Sequence, residues 1–477
     1  MFVKRFFEPG LAQASYLIGC AACREAIVID PNRDAAQYVE AASGEGLRIA
    51  HVTETHIHAD YLSGSRELAK ATGAKLYLSG EGGADWQYAF AGQDGATILR
   101  EGDRIAVGNV LVDVVHTPGH TPEHLTFLVT DGAVATEPIA AVTGDFIFVG
   151  DVGRPDLLER AANIKGTMES GARALFQSLR RFADRPDWLQ IWPGHGAGSA
   201  CGKGISAIPQ STLGYERRFN WAFQVQGEDE FVANVLAGQP DPPKYFATMK
   251  QLNREGPAIL GGFRSPSRLD RGALDRALAA RSVVVDLRRT PDYAVAHVPG
   301  TISIPLDASF TNWAGWLVPY GADFYLIAPE RGDAAAVDRA VRDLAMIGLD
   351  RVAGWFAAGV VDEWAAAGGG LGSVPQITPA DLSASLSHDA VTLLDVRTDN
   401  EWGSGHIAGA RHIPLGRLTD ALDSIPRTRP IVLQCAAGSR SSIAASLLRA
   451  RGVERVANLT GGIAEWRRAG LPTVTSG

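Results

Sequence analysis

Val283-Val284-Val285-Asp286-Leu287-Arg288 returns as Leu393-Leu394-Asp395-Val396-Arg397 at a spacing of 109 residues. His297-Val298-Pro299-Gly300 returns at the same spacing as His406-Ile407-Ala408-Gly409. Asp362-Glu363-Trp364 has its counterpart in Ala464-Glu465-Trp466. Solenoid repeats have periods of roughly 20–50 residues, so a repeat this long is a duplicated domain. Each copy alternates apolar strands with helical stretches, which predicts a parallel α/β sheet. The second half of the chain is therefore expected to be two related domains.

The first half has a different organisation, in which strands stop at metal-type donors. Arg48-Ile49-Ala50-His51-Val52-Thr53 leads into Thr55-His56-Ile57-His58-Ala59-Asp60-Tyr61, and a helix start follows at 63–70. The strand 110–115 runs into His116-Thr117-Pro118-Gly119-His120, and 140–143 runs into Gly144-Asp145. A fourth strand, 188–192, ends in Pro193-Gly194-His195. Strand exits hold side chains outward on a rigid scaffold. His and Asp are common transition-metal donors, so four such exits point to one convergent metal site. Cys20-Ala21-Ala22-Cys23 separates two further strands. Such a pair serves zinc binding or redox cycling, but one pair cannot saturate a structural zinc. A hairpin turn holding two thiols is the simpler reading.

A hydrophobic content of 46% lets each part bury a core, and the length suits about three domains of ~150 residues. A net charge of -8 without a basic block speaks against nucleic-acid or anionic-membrane partners. No apolar run reaches the ~18 residues of a membrane span, and residues 1–9 lack a signal-peptide core. Cysteines 20, 23, 201 and 435 make no disulfide framework, which fits a reducing cytoplasm.

His56-x-His58-x-Asp60, His120, Asp145 and His195, in this order, resemble the metallo-β-lactamase superfamily over roughly residues 1–250. The resemblance implies two β-sheets packed face to face, helices outside, and the metal at one edge. Many members hold two metals and carry a His directly after the first-motif Asp. Here that residue is Tyr61, and a neutral phenol is a poor ligand, so the second site loses a donor. The implied ligand set for one ion is His56, His120 and Asp145. Two imidazoles and a carboxylate with open positions suit non-haem Fe(II) and oxygen chemistry, whereas redox-inert zinc suits hydrolysis.

Within the superfamily the chain resembles the persulfide dioxygenases, whose pattern includes Thr143-Gly144-Asp145 followed by Gly153-Arg154-Pro155-Asp156. That implies one mononuclear Fe(II) per chain. His58, Asp60, Tyr61 and His195 then orient ligands or hold water, as partners outside the coordination sphere do. Arg154 is read as an ion-pair partner of Asp156, with direct substrate contact as the alternative. Cys201, in a Gly-rich loop, is either a small loop residue or a sulfur relay. Tyr215 and Arg217, at a helix start, are further candidates for a thiol-carrier pocket. Residues 237–267, rich in Pro and Gly, read as a linker.

In the last domain a strand over 429–434 runs into Cys435-Ala436-Ala437-Gly438-Ser439-Arg440, and a helix follows over 442–451. Cys435 there meets backbone N–H groups and the positive end of the helix, and Arg440 adds charge. Both favour a thiolate or an anionic persulfide. With Asp395-Val396-Arg397 and Gly405-His406-Ile407, this resembles the rhodanese sulfurtransferases over about 372–477. The earlier copy, 268–370, has no cysteine in Phe324-Tyr325-Leu326-Ile327-Ala328-Pro329-Glu330, so it reads as an inactive rhodanese-like domain.

The whole is expected to be an α/β multidomain chain: a metallo-β-lactamase αββα sandwich followed by two rhodanese-like domains. It resembles the persulfide dioxygenase–rhodanese fusion proteins. Their chemistry implies that a low-molecular-weight thiol persulfide, such as glutathione persulfide, and O2 yield sulfite at Fe(II). Cys435 moves sulfane sulfur to or from thiosulfate, and the pair detoxifies sulfide. Two other readings stay open. One is a zinc-dependent glyoxalase-II-like thioester hydrolase fused to a sulfurtransferase. The other is a sulfur carrier or sensor without catalysis. The residues leave open the thiol carrier, the net direction of sulfur flow, and whether the chain forms a homo-oligomer.

Overall fold

The structure, a computed structural model, describes residues 1–157, 159, 166–330 and 333–475. The chain divides into two compact units, Met1–Phe263 with Ala345–Gly348, and Arg264–Leu344 with Leu349–Gly477.

The first unit contains two six-stranded sheets. One runs in spatial order Phe2–Glu8, Gln13–Cys20, Glu25–Ile29, Arg48–Thr53, Lys75–Ser79 and Thr97–Leu99. The other runs Ser211–Thr212, Gln190–Pro193, Ala140–Gly144, Leu125–Asp131, Val110–His116 and Arg104–Val107. Strand alternation sends Val110, Val112 and Val114 inward with Leu125, Phe127 and Val129, against Tyr16, Ile18, Ile27 and Ile29 of the facing sheet. Each large apolar side chain buried there contributes about 1.5–3 kcal/mol.

The outward residues of each sheet are covered by helices. Leu175, Phe176, Leu179 and Phe182 of the helix Thr167–Phe182 cover Leu128, Ala141 and Ile191. Tyr38, Ala42 and Leu68, from the helices Ala35–Gly44 and Ser65–Thr72, cover Leu17, Val28 and Val52. The layers are helix, sheet, sheet, helix, as the metallo-β-lactamase resemblance implied.

One expectation fails. The supposed linker 237–267 contains the helix Tyr245–Glu255, which buries Tyr245, Phe246, Met249 and Asn253. The prolines and glycines lie outside it, and its apolar residues recur at helical spacing.

The second unit holds two parallel sheets. One is ordered Ile302–Ser303, Val283–Asp286, Phe324–Ile327, Val352–Phe356. The other is ordered Arg411–His412, Thr392–Asp395, Ile431–Gln434, Val456–Leu459, with Gln376–Ile377 added at its end. The duplication holds at the level of register: Asp286 pairs Ser303, and Asp395 pairs His412. It also holds for side chains. Arg288 grips Asp286 at 2.7 Å, and Arg397 grips Asp395 at 2.6 Å. The His297 ring stacks on Tyr293, and the His406 ring stacks on Trp402. Asp286 pairs Ile327 where Asp395 pairs Gln434, so buried Ala328 stands where the later copy has Cys435.

Candidate functional site

The loop carrying His56 is organised by Asp30. Asp30 ends a strand at φ +54°, a left-handed conformation that costs a non-glycine residue about 1–3 kcal/mol. There its carboxylate accepts the Thr55 amide at 2.6 Å, the Thr55 hydroxyl at 2.9 Å, and faces His58 Nε2 at 3.1 Å. With its proton given to Asp30, Thr55 Oγ1 accepts Nδ1–H of His56 at 2.9 Å. The Nε2 lone pair of His56 is left buried without a partner.

The same logic fixes two more rings. His120 donates Nδ1–H to the Arg154 carbonyl at 2.9 Å, which turns its Nε2 lone pair toward Asp145 Oδ2, 3.5 Å away. His195 donates Nδ1–H to the Ala12 carbonyl at 3.1 Å. Its Nε2 lies 3.2 Å from Asp60 Oδ2 and 3.4 Å from Asp145 Oδ1. Among nitrogen and oxygen groups, neither oxygen of Asp60 or of Asp145 has a hydrogen-bond donor, and the Cys201 thiol stands beside Asp145. Burial pulls the His56 and His120 pKa values down, so both rings are neutral at physiological pH. Lone pairs facing lone pairs in a buried site are relieved by a proton or by a metal cation between them. The residues therefore fit a metal ion, and donor atoms of His56, His120 and Asp145 lie within 4.8 Å of one another.

Asp60, His195 and Cys201 form a second such group, likewise buried. Burial drives the Cys201 thiol well up and also raises Asp60. Tyr61 is buried and its hydroxyl donates to the Asp30 carbonyl at 3.3 Å. Burial raises its pKa, so it is a neutral phenol. Burial would depress His58, but Asp30 outweighs it and lifts the pKa to about 9.

Arg154 forms a fully buried bidentate pair with Asp156, both bonds 2.7 Å. It also donates to the Ala200 carbonyl at 3.1 Å, which anchors the Cys201 loop. Tyr215 and Arg217 stand apart from these contacts. They face solvent on the helix Leu213–Phe219, and Arg217 pairs with Asp187 at 2.7 Å.

Sequence reasoning missed four residues that hold this loop system. Asp30 is one. His124 Nε2 accepts the Asp145 amide at 3.1 Å, and Glu123 accepts the Ile57 amide at 2.8 Å. Asn253 donates to the carbonyls of His58 and Tyr61, both at 2.8 Å, and accepts the Ser63 amide at 2.9 Å. Only Asp30 had a local signal, a strand that ends in Asp like the one that ends at Asp145. Gly194 is required for space, since a Cβ there would lie 2.9 Å from Asp145 Oδ1.

In the second unit the helix Ser439–Ala450 starts earlier than expected, so Arg440 sits in its first turn. Cys435 is buried, and its sulfur accepts the Gly438 amide at 3.1 Å and the Ser441 hydroxyl at 3.4 Å. Arg440 is held by Glu401 in a bidentate pair of 2.7 and 2.6 Å. Burial raises the Glu401 pKa, but this guanidinium outweighs it and brings it down to about 2.

Comparison with known proteins gives the family of each half of the chain. The metallo-beta-lactamase superfamily pattern matches residues 9–195, and the rhodanese-like domain pattern matches 378–469. A crystal structure of a metallo-beta-lactamase from Staphylococcus aureus subsp. aureus COL is 42% identical with a TM-score of 0.67. It covers 75% of this chain, which covers 98% of it. Persulfide dioxygenase ETHE1 of Mus musculus is 30% identical over 202 residues, which are 41% of this chain and 68% of that protein. The chain belongs to the metallo-β-lactamase superfamily. Hydroxyacylglutathione hydrolase of Rhodospirillum rubrum is 30% identical over 180 residues, 38% of this chain and 60% of that one. The superfamily domain is thus fused to a C-terminal rhodanese-like domain, and the chain is an enzyme with persulfide dioxygenase homologues. Among the described residues, no helix is long and apolar enough to cross a membrane.

Proposed function

We propose that the chain is a persulfide dioxygenase coupled to a sulfurtransferase. The observation that carries this reading is the set of neutral imidazole lone pairs aimed with Asp145 at one buried point, beside a phenol in place of a further donor. His56, His120 and Asp145 would hold one Fe(II). When bound, that ion would supply the one-electron chemistry that lets both atoms of O2 reach the terminal sulfur of a thiol persulfide; one water gives the third oxygen and the thiol's proton, so RSSH, O2 and H2O end as RSH, sulfite and two protons. Thr55, the Arg154 carbonyl and His124 orient the three ligands. The buried Arg154–Asp156 pair holds the Cys201 loop through the Ala200 carbonyl, with Cys201 beside Asp60 and His195.

Sulfur transfer falls to Cys435. As a thiolate it attacks the sulfane sulfur of thiosulfate or of a persulfide. The S–S bond breaks, its electron pair leaves with sulfite or thiolate, and the cysteine keeps the persulfide. The Gly438 amide and Ser441 hydroxyl stabilise the charge on sulfur. The domains assigned to these steps are 1–250 and 372–477, with 268–370 as the copy lacking a nucleophile at Ala328.

The convergence of Asp60, His195 and Cys201 favours one rival, a two-zinc thioester hydrolase. Metal quantification with an oxygen-electrode trace separates the two. Iron near one per chain and oxygen uptake with glutathione persulfide support the dioxygenase. A zinc pair with hydrolysis of a glutathione thioester and no oxygen uptake refutes it.

A further inference from the structure

The pair Cys20 and Cys23 has no part in either reaction. Cys20 ends the strand Gln13–Cys20 and is 4% exposed, whereas Cys23 lies exposed in the turn before Glu25. The turn is closed by the Arg24 amide donating to the Cys20 carbonyl at 2.9 Å, with Arg24 at φ +57°. This folds the chain back so that both sulfurs meet beneath Gly108 of the facing sheet. A Cβ on Gly108 would overlap the Cys23 sulfur and lie 2.9 Å from that of Cys20. Beside it the Asn109 amide donates to the Cys20 sulfur at 3.4 Å. Both thiols are free, and among the described residues no third metal donor joins them.

We propose that Cys20 and Cys23 are a reversible redox dithiol that exchanges with low-molecular-weight disulfides, independently of the metal site and of Cys435. Cys23 is the accessible attacker. Its thiolate attacks one sulfur of a disulfide RSSR, the S–S bond breaks, and RS⁻ leaves. The thiolate of Cys20 then attacks Cys23 Sγ, displaces the second RS⁻, and closes the intramolecular disulfide. The dithiol loses two electrons, and RSSR gains them as two RSH. Exposure sets the division of labour, since burial and the neighbouring Cys20 sulfur raise the Cys23 thiol above its ordinary value. Burial raises the Cys20 thiol, but the amides of Cys23 and Asn109 outweigh it and bring it down to about 7. Cys20 is thus the better resolving thiolate, and its shelter protects it from outside oxidants.

The test uses the full chain equilibrated with mixtures of reduced and oxidised glutathione, quenched in acid, alkylated and digested with trypsin. Both cysteines lie in the peptide Phe6–Arg24, which has no internal Lys or Arg. As the oxidised fraction rises, this peptide is expected to lose both alkyl groups together and to appear about 2 Da lighter than the dithiol. Reduction with excess thiol restores both. In Cys20→Ser the reaction is expected to stop with glutathione on Cys23. The proposal is overturned if the wild-type peptide keeps both alkyl groups at every ratio. It is equally overturned if glutathione accumulates on wild-type Cys23 without closure.

Discussion

Asn253 lies far along the chain from the metal-site loop, yet its side chain makes three buried hydrogen bonds to residues 58–63. Each such bond contributes about 1 kcal/mol, so Asn253→Ala is expected to cost about 3 kcal/mol. Typical stability is only about 5–15 kcal/mol, so the loss is large. In urea it lowers the midpoint by about 1 M. Asn253→Asp tests the donor direction. It still accepts the Ser63 amide, but it turns an oxygen toward the carbonyls of His58 and Tyr61. The buried carboxyl is then pushed above its ordinary range, because only the protonated form donates. A raised acid pKa makes the damage least at low pH and greatest as pH rises through the shifted value. The assay is urea unfolding of the metal-free full chain between pH 5 and 8, with iron retention measured in parallel. Iron affinity is expected to fall about 10–100-fold. Equal midpoints for Asn253→Asp and wild type at pH 8 would refute the assignment of both carbonyl contacts.

His120→Ala is expected to abolish iron binding and oxygen uptake together, and iron retained at the wild-type ratio contradicts its role as a ligand. Cys435→Ser should leave persulfide-dependent oxygen uptake intact and stop sulfur transfer from thiosulfate; loss of both in a folded variant breaks the division of labour. Asp156→Ala strands the buried Arg154 guanidinium and should cost about 3–5 kcal/mol, so a thermal shift near zero argues against the pair. Because Asp30 lifts His58 to about 9, its contribution in the metal-free protein is complete below the ordinary histidine pKa and is lost as pH rises through about 9. His58→Gln should flatten that alkaline slope of stability, and an unchanged slope sinks the assignment.

Residues close in sequence spoke most plainly. The repeat at 109 residues returned as identical strand register in two sheets, because alternation and turn chemistry are local. The order of strand exits at His56, His120, Asp145 and His195 was readable for the same reason. Asn253 was not, since a Pro- and Gly-rich neighbourhood hid an eleven-residue helix whose one polar buried residue acts on a loop nearly two hundred positions earlier.

By itself the chain of residues determined which donors exist, where strands release them, and which copy of the repeat carries a nucleophile. Those are properties of residue type and short-range period. Tertiary structure decided which ring nitrogen each histidine keeps free, because that depends on the carbonyl of Arg154 or Ala12 and on a threonine already spent on Asp30. It also decided that Arg440 is held by Glu401, and that two turn cysteines meet under a glycine of the facing sheet. Hydrogen-bond direction and close approach arise only when distant segments are brought into contact.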